Sequence, residues 1–159
     1  MRDCGGNNEQ QVLVVVRERR VGFGNADTLG GPGGLRAMIA FSPAIPVLRS
    51  FSEAKAKEFY LGFLGFAVDF EHRFAPDMPL YMGISRNGVK LHISEHFGDA
   101  MPGGCVYIEM TGLREFQAEL IAKEYKFARP GINPGHGGGI GIDLADPFGN
   151  KLRFNERDG

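Results

Sequence analysis

The sequence predicts an α+β protein in which two βαβββ modules follow one another along the chain. Three observations predict it: short segments that alternate apolar and polar residues, one amphipathic helical pattern in each half, and a matched spacing of the two halves. Phe59 and Phe116, one in each helical pattern, are 57 residues apart, and the turn glycines Gly88 and Gly149 are 61 residues apart. Two such modules are expected to form curved mixed sheets around a groove.

Composition and charge limit the function classes that need consideration. The chain has 159 residues, of which 43% are hydrophobic and 23% charged, so it is long enough and apolar enough to fold around a core. A net charge of −1 gives no electrostatic drive toward nucleic acid, and no apolar run approaches the ~20 residues that cross a bilayer. Cys4 and Cys105 fit neither a disulfide framework nor a paired-cysteine metal site. We expect a cytoplasmic protein with no nucleic-acid or membrane partner.

The domain boundary is predicted near residue 38. Residues 1–37 contain eight of the 24 glycines, a density that costs too much backbone entropy for regular structure. We interpret 1–37 as a flexible glycine-rich extension and 38–159 as the folded domain, with modules at about 41–99 and 103–157.

The first module begins with a short predicted strand over 44–49, which Pro46 restricts to a sheet edge. Ser52 is a suitable N-cap for the helix that follows, and Gly65 is suited to end it. Asn87 and Gly88 predict a tight hairpin turn. The other predicted strands of this module are 66–74, 78–85 and 89–94.

The second module repeats this order. Leu113, Phe116, Leu120 and Ile121 mark the apolar face of its helix. Its predicted strands are 105–110, 125–129, 140–144 and 151–155.

Strand alternation assigns one face of each sheet to aliphatic residues, which should pack on a helix because that burial drives folding. The opposite face then carries polar and aromatic residues: His92, Ser94, Cys105, Tyr107, Arg153 and Asn155. From alternation alone, this second face either meets solvent or lines a concave groove.

Three segments, 44–66, 91–99 and 146–154, resemble the vicinal oxygen chelate superfamily, which has the glyoxalase and bleomycin-resistance fold. Their sequences are AIPVLRSFSEAKAKEFYLGFLGF, LHISEHFGD and DPFGNKLRF, and the similarity extends from about 41 to 157. The resemblance implies paired βαβββ modules, and it leaves the function open between enzymes and binding proteins.

Enzymes of this superfamily hold a divalent metal with four side chains from four strands. The resemblance places Ile45, His92, Cys105 and Arg153 at those positions. Only His92 and Cys105 have metal-binding atoms, and Arg153 would repel a cation. We therefore expect no metal, no cofactor and no catalytic residue, and we keep an enzyme with an incomplete metal site, or with His92 as acid–base, as the alternative.

Bleomycin-resistance proteins lack the metal ligands, form dimers and sequester a drug in grooves at the dimer interface. The resemblance implies a homodimer in which Pro46 marks an exchanged strand, and a small-molecule ligand, possibly an antibiotic. The predicted ligand contacts are Phe70, Phe74, Tyr81, His92, Ser94, Cys105, Tyr107 and Arg153. The family's groove tryptophan is absent, since residues 137–141 occupy its segment, so bleomycin itself is not favoured.

Two further motifs do not indicate function. Residues 92–96 match H-x-x-E-H, but a strand separates its two histidines by about 13 Å, too far to bind one zinc ion. The glycine run at 135–139 lacks the Lys-Ser/Thr and the helix of a phosphate-binding loop. We interpret this run as a loop that borders the groove.

Overall fold

The structure, a computed structural model, describes residues 39–159, and the predicted extension over 1–37 lies outside this range. The strands are β1 (Val47–Arg49), β2 (Ala67–His72), β3 (Tyr81–Arg86), β4 (Val89–Ser94), β5 (Cys105–Glu109), β6 (Asn133–Pro134), β7 (Ile140–Ala145) and β8 (Lys151–Glu156). Helix α1 has one α-helical turn (Glu53–Ala56) and continues as a π-helix (Lys57–Phe63), and helix α2 is Leu113–Ala122. Neither helix has the length and hydropathy needed to cross a bilayer within the described range.

The strands form two four-stranded mixed sheets of the same topology. Their orders are β1-β4-β3-β2 and β5-β8-β7-β6. The parallel pairs are β1 with β4 in the first sheet and β5 with β8 in the second. Val47 pairs with His92 in the first sheet, and Tyr107 pairs with Arg153 in the second. His92 and Arg153 each lie four residues after the turn glycine of their hairpin, Gly88 or Gly149, so they occupy equivalent positions. The predicted α+β fold with two βαβββ modules is confirmed.

Helix α1 begins and ends where the sequence predicts. The Ser52 side chain accepts a hydrogen bond from the Lys55 amide, and Gly65 has a φ of +72° that favours glycine. The helix widens along its length, since the Leu64 amide donates to the carbonyl of Phe59, five residues back.

The core is formed by the aliphatic sheet faces together with the helices. Leu91 and Ile93 of β4 and Leu152 and Phe154 of β8 are buried, as strand alternation predicts. Ile121 is about half exposed, so the apolar face of α2 is narrower than the sequence pattern indicates.

The predicted strand over 125–129 is wrong. Glu124 has a φ of +48° at the end of α2, and the Ala128 amide donates to the Tyr125 carbonyl in a turn. The Tyr125 ring stacks on Phe63 at a centroid distance of 4.6 Å, so its burial comes from α1 rather than from a sheet. The edge strand is the two-residue β6 instead.

A buried hydrogen-bond network joins the two modules. The Tyr60 hydroxyl of α1 donates to Asp146 Oδ2 over 2.7 Å, and the Asn150 amide group donates to Asp146 and to the carbonyl of Arg49. The turn at 146–150 is thus tied both to the helix and to the first strand of the other module.

Candidate functional site

The face of the first sheet that lies away from the core carries a cluster of rings. Phe70, Gly83 and His92 lie in register across β2, β3 and β4. A Cβ atom at Gly83 would lie only 2.2 Å from Phe70 Cε1, so the Phe70 ring rests directly on the glycine backbone. Phe70 can lie flat against the sheet because Gly83 has no side chain.

Tyr81 and His92 complete this arrangement. Tyr81 Oη lies 2.8 Å from His92 Nδ1, and the Tyr81 ring stacks on Phe70 at 6.2 Å between centroids. The His92 ring meets Phe70 edge to face at 5.3 Å. We call Phe70, Tyr81 and His92 the first cluster. It offers a flat aromatic surface, and Phe70 is 43% exposed.

The surroundings of the first cluster favour uncharged side chains. Burial lowers the pKa of His92, Asp69 acts in the opposite direction, and Lys90 lowers it further. Burial also raises the pKa of the Tyr81 hydroxyl, with a smaller effect from Asp99. A neutral imidazole and a neutral phenol suit the binding of an apolar ring.

The corresponding face of the second sheet carries a charged group. Tyr107, Arg153 and Asp143 lie in register across β5, β8 and β7. His136 Nε2 lies 2.8 Å from Asp143 Oδ2, while Arg153 Nε lies 3.9 Å from Asp143 Oδ1. We call Tyr107, Asp143, His136 and Arg153 the second cluster. Tyr107, like Phe70, is 43% exposed.

The glycine-rich loop borders the second cluster. A Cβ atom at Gly137 would lie 3.3 Å from Tyr107 Oη, which shows how closely the loop approaches this hydroxyl. The Gly135 amide donates to the Gly139 carbonyl, and Asn155 Nδ2 donates to the Gly138 carbonyl. The loop is thus hydrogen-bonded to itself and to β8.

The other predicted contact residues lie outside the two clusters. Phe74 packs between His72 and His96 and is 74% exposed, while Cys105 is exposed at the start of β5. Ser94 is buried; it donates to Asp99 Oδ2 over 2.6 Å and accepts from the His96 amide. Ser94 thereby holds the turn after β4.

Pro46 lies directly before β1, and its carbonyl accepts a hydrogen bond from the His92 amide. The β1 strand pairs with β4 of the same chain. This arrangement gives Pro46 a place at the edge of the first sheet, beside the first cluster.

The two clusters do not meet within one chain. No hydrogen bond, ion pair or ring contact joins them in residues 39–159. Two concave clefts lie elsewhere: one of about 510 Å³ between the β3–β4 turn and α2, and one of about 430 Å³ between α1 and residues 125–128. Neither cleft includes a residue of either cluster.

The residues at the superfamily's metal positions do not fit a metal ion. Ile45 has no donor atom, and the guanidinium of Arg153 is a fixed cation. Within the described range, no three His, Cys, Asp or Glu side chains lie close enough together to share an ion. Two donors, His92 and Cys105, are fewer than the three that a catalytic zinc site uses.

Sequence reasoning missed three members of this arrangement. Asp143 could have been found, because alternation along β7 places it on the polar face beside Arg153. Gly83 gave a weaker signal, a glycine in a strand interior, which often marks a close approach. His136 gave no signal, because its contact with Asp143 depends on the path of the glycine loop.

The duplicated sheets, with the helices on one face and polar clusters on the other, define the glyoxalase/bleomycin-resistance fold. The family model described as "Glyoxalase superfamily protein" matches residues 33–159. The chain therefore belongs to the glyoxalase superfamily, and the resemblance to glyoxalase and bleomycin-resistance proteins is confirmed. No curated protein matches the chain.

Solved structures with the same fold include antibiotic-binding proteins. The bleomycin-binding protein of bleomycin-producing Streptomyces verticillus, complexed with copper(II)-bleomycin, is 26% identical, with a TM-score of 0.54 over 76% of this chain and 100% of that chain. The bleomycin resistance determinant of transposon Tn5 is 21% identical, with a TM-score of 0.58 over 75% and 100%. TnmS3, an antibiotic binding protein from Streptomyces sp. CB03234, is 17% identical, with a TM-score of 0.58 over 76% and 100%.

Proposed function

We propose that this protein binds an organic small molecule with flat rings, without a metal ion, in a groove between the polar sheet faces of two subunits. The observation that carries the proposal is the first cluster, in which a half-exposed Phe70 ring lies on Gly83 beside the Tyr81–His92 pair. Such a surface stacks a planar ring at little entropic cost, since its side chains already pack against one another. Antibiotic-binding proteins among the structural relatives support the same class of ligand.

A homodimer is part of the proposal, because one chain leaves each cluster open on one side. Phe41 and Ile45 are also exposed ahead of Pro46, where a partner subunit can cover them. Pairing of two copies would bury this apolar surface and place one subunit's first cluster opposite the partner's second sheet. Light scattering tests this part directly: twice the chain mass supports the dimer, and the mass of one chain at micromolar concentration contradicts it.

Titration calorimetry against a panel of aromatic antibiotics tests the binding function. We expect heat of binding with at least one compound, and a loss of affinity in Phe70→Ala. Phe127→Ala is the matched control, since Phe127 is an exposed aromatic residue of the cleft beside α1. Absence of heat with every compound, or equal losses in both variants, would contradict the proposal.

A second function is supported by one contact, the 2.8 Å hydrogen bond between Tyr81 and His92. A neutral imidazole bonded to a phenol can accept or relay a proton, so acid–base turnover of the ligand is the alternative. Mass spectrometry of the bound compound after incubation distinguishes sequestration of the ligand from its turnover. An unchanged mass supports sequestration, whereas a product that forms with wild type and not with His92→Gln supports catalysis.

A further inference from the structure

We infer that the second cluster is an oxyanion subsite, so that the ligand is an aromatic compound carrying a carboxylate or sulfonate group. This inference rests on the proposed function, because it concerns the other half of the same groove.

The Arg153 guanidinium lies beside Asp143 without a direct hydrogen bond to it. Arg153 Nε is buried and has no hydrogen-bond partner in the described part of the chain. The nearest carboxylate oxygen, Asp143 Oδ1, is 3.9 Å away, which is beyond hydrogen-bond distance. Because Nε is buried, a ligand reaches the guanidinium at its exposed edge, where an oxyanion can accept hydrogen bonds.

Asp143 faces Arg153 with one carboxylate oxygen, Oδ1. Its other oxygen, Oδ2, lies 2.8 Å from His136 Nε2, so the carboxylate is oriented toward the glycine loop. The Arg153 side chain is about one-third exposed, so its outer edge can receive a ligand from the groove side. A planar guanidinium fork matches the two oxygens of a carboxylate or sulfonate.

The charged residues around this guanidinium are predominantly basic. Glu109, the other acidic residue on this face, is ion-paired with Arg157, and Lys151 adds a further positive charge on β8. Tyr107 is register-paired with Arg153 and brings a hydroxyl to the same face. The basic groups on this face exceed the acidic ones by one charge, which favours an anion.

The two clusters offer different contacts to one ligand. The first cluster offers rings and neutral polar atoms, and the second offers a cation with an adjacent hydroxyl. A ligand that uses both faces therefore needs a flat ring system and an anionic group at its edge.

Two fluorescent probes test this inference, since they differ only in one anionic group: 1-anilinonaphthalene-8-sulfonate and the neutral N-phenyl-1-naphthylamine. We expect wild type to bind the sulfonate about tenfold or more tightly than the neutral probe. Arg153→Gln should remove that preference and leave the neutral probe's affinity unchanged, and Arg153→Lys should keep only part of it. Arg129→Gln, which removes an exposed arginine outside the two sheets, is the control and should keep the full preference.

The outcomes distinguish the two proposals. Equal binding of both probes to wild type, or a preference that persists in Arg153→Gln, overturns the oxyanion subsite and leaves the binding function standing. Binding of neither probe to wild type overturns the binding function and the subsite with it. A thermal unfolding curve of Arg153→Gln that matches wild type shows that a lost preference reflects the subsite rather than the fold.

Discussion

His92 and Arg153 occupy equivalent positions in the two modules, yet their side chains have opposite roles in the proposed groove. His92 is partly desolvated beside two aromatic rings, whereas Arg153 is a permanent cation without a hydrogen-bonded partner for Nε in the described range. The duplication therefore supplies two matching sites, and the residue at each site determines what it binds.

His92 should be harder to protonate than an ordinary histidine. Burial lowers its pKa, so nuclear magnetic resonance titration of the imidazole should give a midpoint below the ordinary 6.5. As the pH falls, His92 is protonated in the unfolded chain at a higher pH than in the folded chain. Protonation therefore favours unfolding, and the free energy of unfolding decreases as the pH falls through about 6.5. His92→Gln assigns the signal by its disappearance, and a midpoint at or above 6.5 would contradict the burial argument.

Strand alternation predicted the positions of only some residues of the two clusters. His92, Tyr107 and Arg153 lie on the faces that alternation assigns to them, because β4, β5 and β8 are regular. Phe70 could not be placed against Gly83 in this way, because an irregularity in β2 between Val68 and Phe70 shifts the pairing register.

At the scale of elements, the contact between β2 and β3 depends on one glycine. Gly83→Ala would place a methyl group within the Phe70 ring, so the ring must move away from the sheet. The φ of Gly83 is not in the left-handed region, so the strand itself accepts alanine. We expect little change in melting temperature, and a loss of about threefold to tenfold in the affinity for N-phenyl-1-naphthylamine.

Gly62→Ala in α1 is the control for that substitution. Its Cβ would meet nothing closer than 3.9 Å, so it should leave probe binding unchanged. Unaltered probe affinity in Gly83→Ala would show that the Phe70 surface does not contact the ligand.

The turn between β7 and β8 is held by a single carboxylate. Asp146 accepts hydrogen bonds from the hydroxyl of Tyr60, the amides of Phe148 and Asn150, and the Asn150 side chain. Asp146→Ala leaves these donors unpaired, so we expect urea unfolding to show a free energy of unfolding lower by about 3 kcal/mol. Asp77→Ala, at an exposed position, should change stability by less than about 0.5 kcal/mol. A similarly small loss in Asp146→Ala would contradict the structural role of the network.

The sequence predicted secondary structure correctly where the signal is local, and wrongly where contacts between distant parts of the chain determine the conformation. Asn87 and Gly88 form the expected turn, both with positive φ, because that turn type requires these residues. The segment 125–129 has a strand-like pattern, but its Tyr125 ring packs on Phe59 and Phe63 of α1, which lies about 60 residues earlier in the sequence. The apolar pattern of residues 125–129 does not show that their packing partner is a helix rather than a neighbouring strand.

At the scale of the whole molecule, an ion pair joins the two modules. Arg86 of the β3–β4 hairpin bonds to Glu119 of α2, and with Lys123 it lowers the pKa of Glu119 to about 2. Since this pKa is below the ordinary 4.5, the pair stabilises the fold above about pH 4.5, and the contribution is lost as the pH falls toward 2.

Glu119→Gln measures that contribution. At pH 7 we expect urea unfolding to show a loss of about 1 kcal/mol or less, because the carboxylate is more than one-third exposed. The difference from wild type should shrink as the pH is lowered from 5 to 2. Glu115→Gln, on the exposed face of the same helix, serves as the control, and a pH-independent difference in Glu119→Gln would contradict the assignment.

In the proposed function, the ligand binds to the polar sheet faces rather than in the clefts beside the helices. The most direct measurement is a crystal structure of the protein grown with the tightest-binding compound of the antibiotic panel. We predict electron density for the compound on the ring of Phe70, between two subunits, with its anionic edge toward the Arg153 guanidinium of the partner. Density in the cleft between Arg86 and α2, or a metal ion bound at His92 and Cys105, would contradict the account.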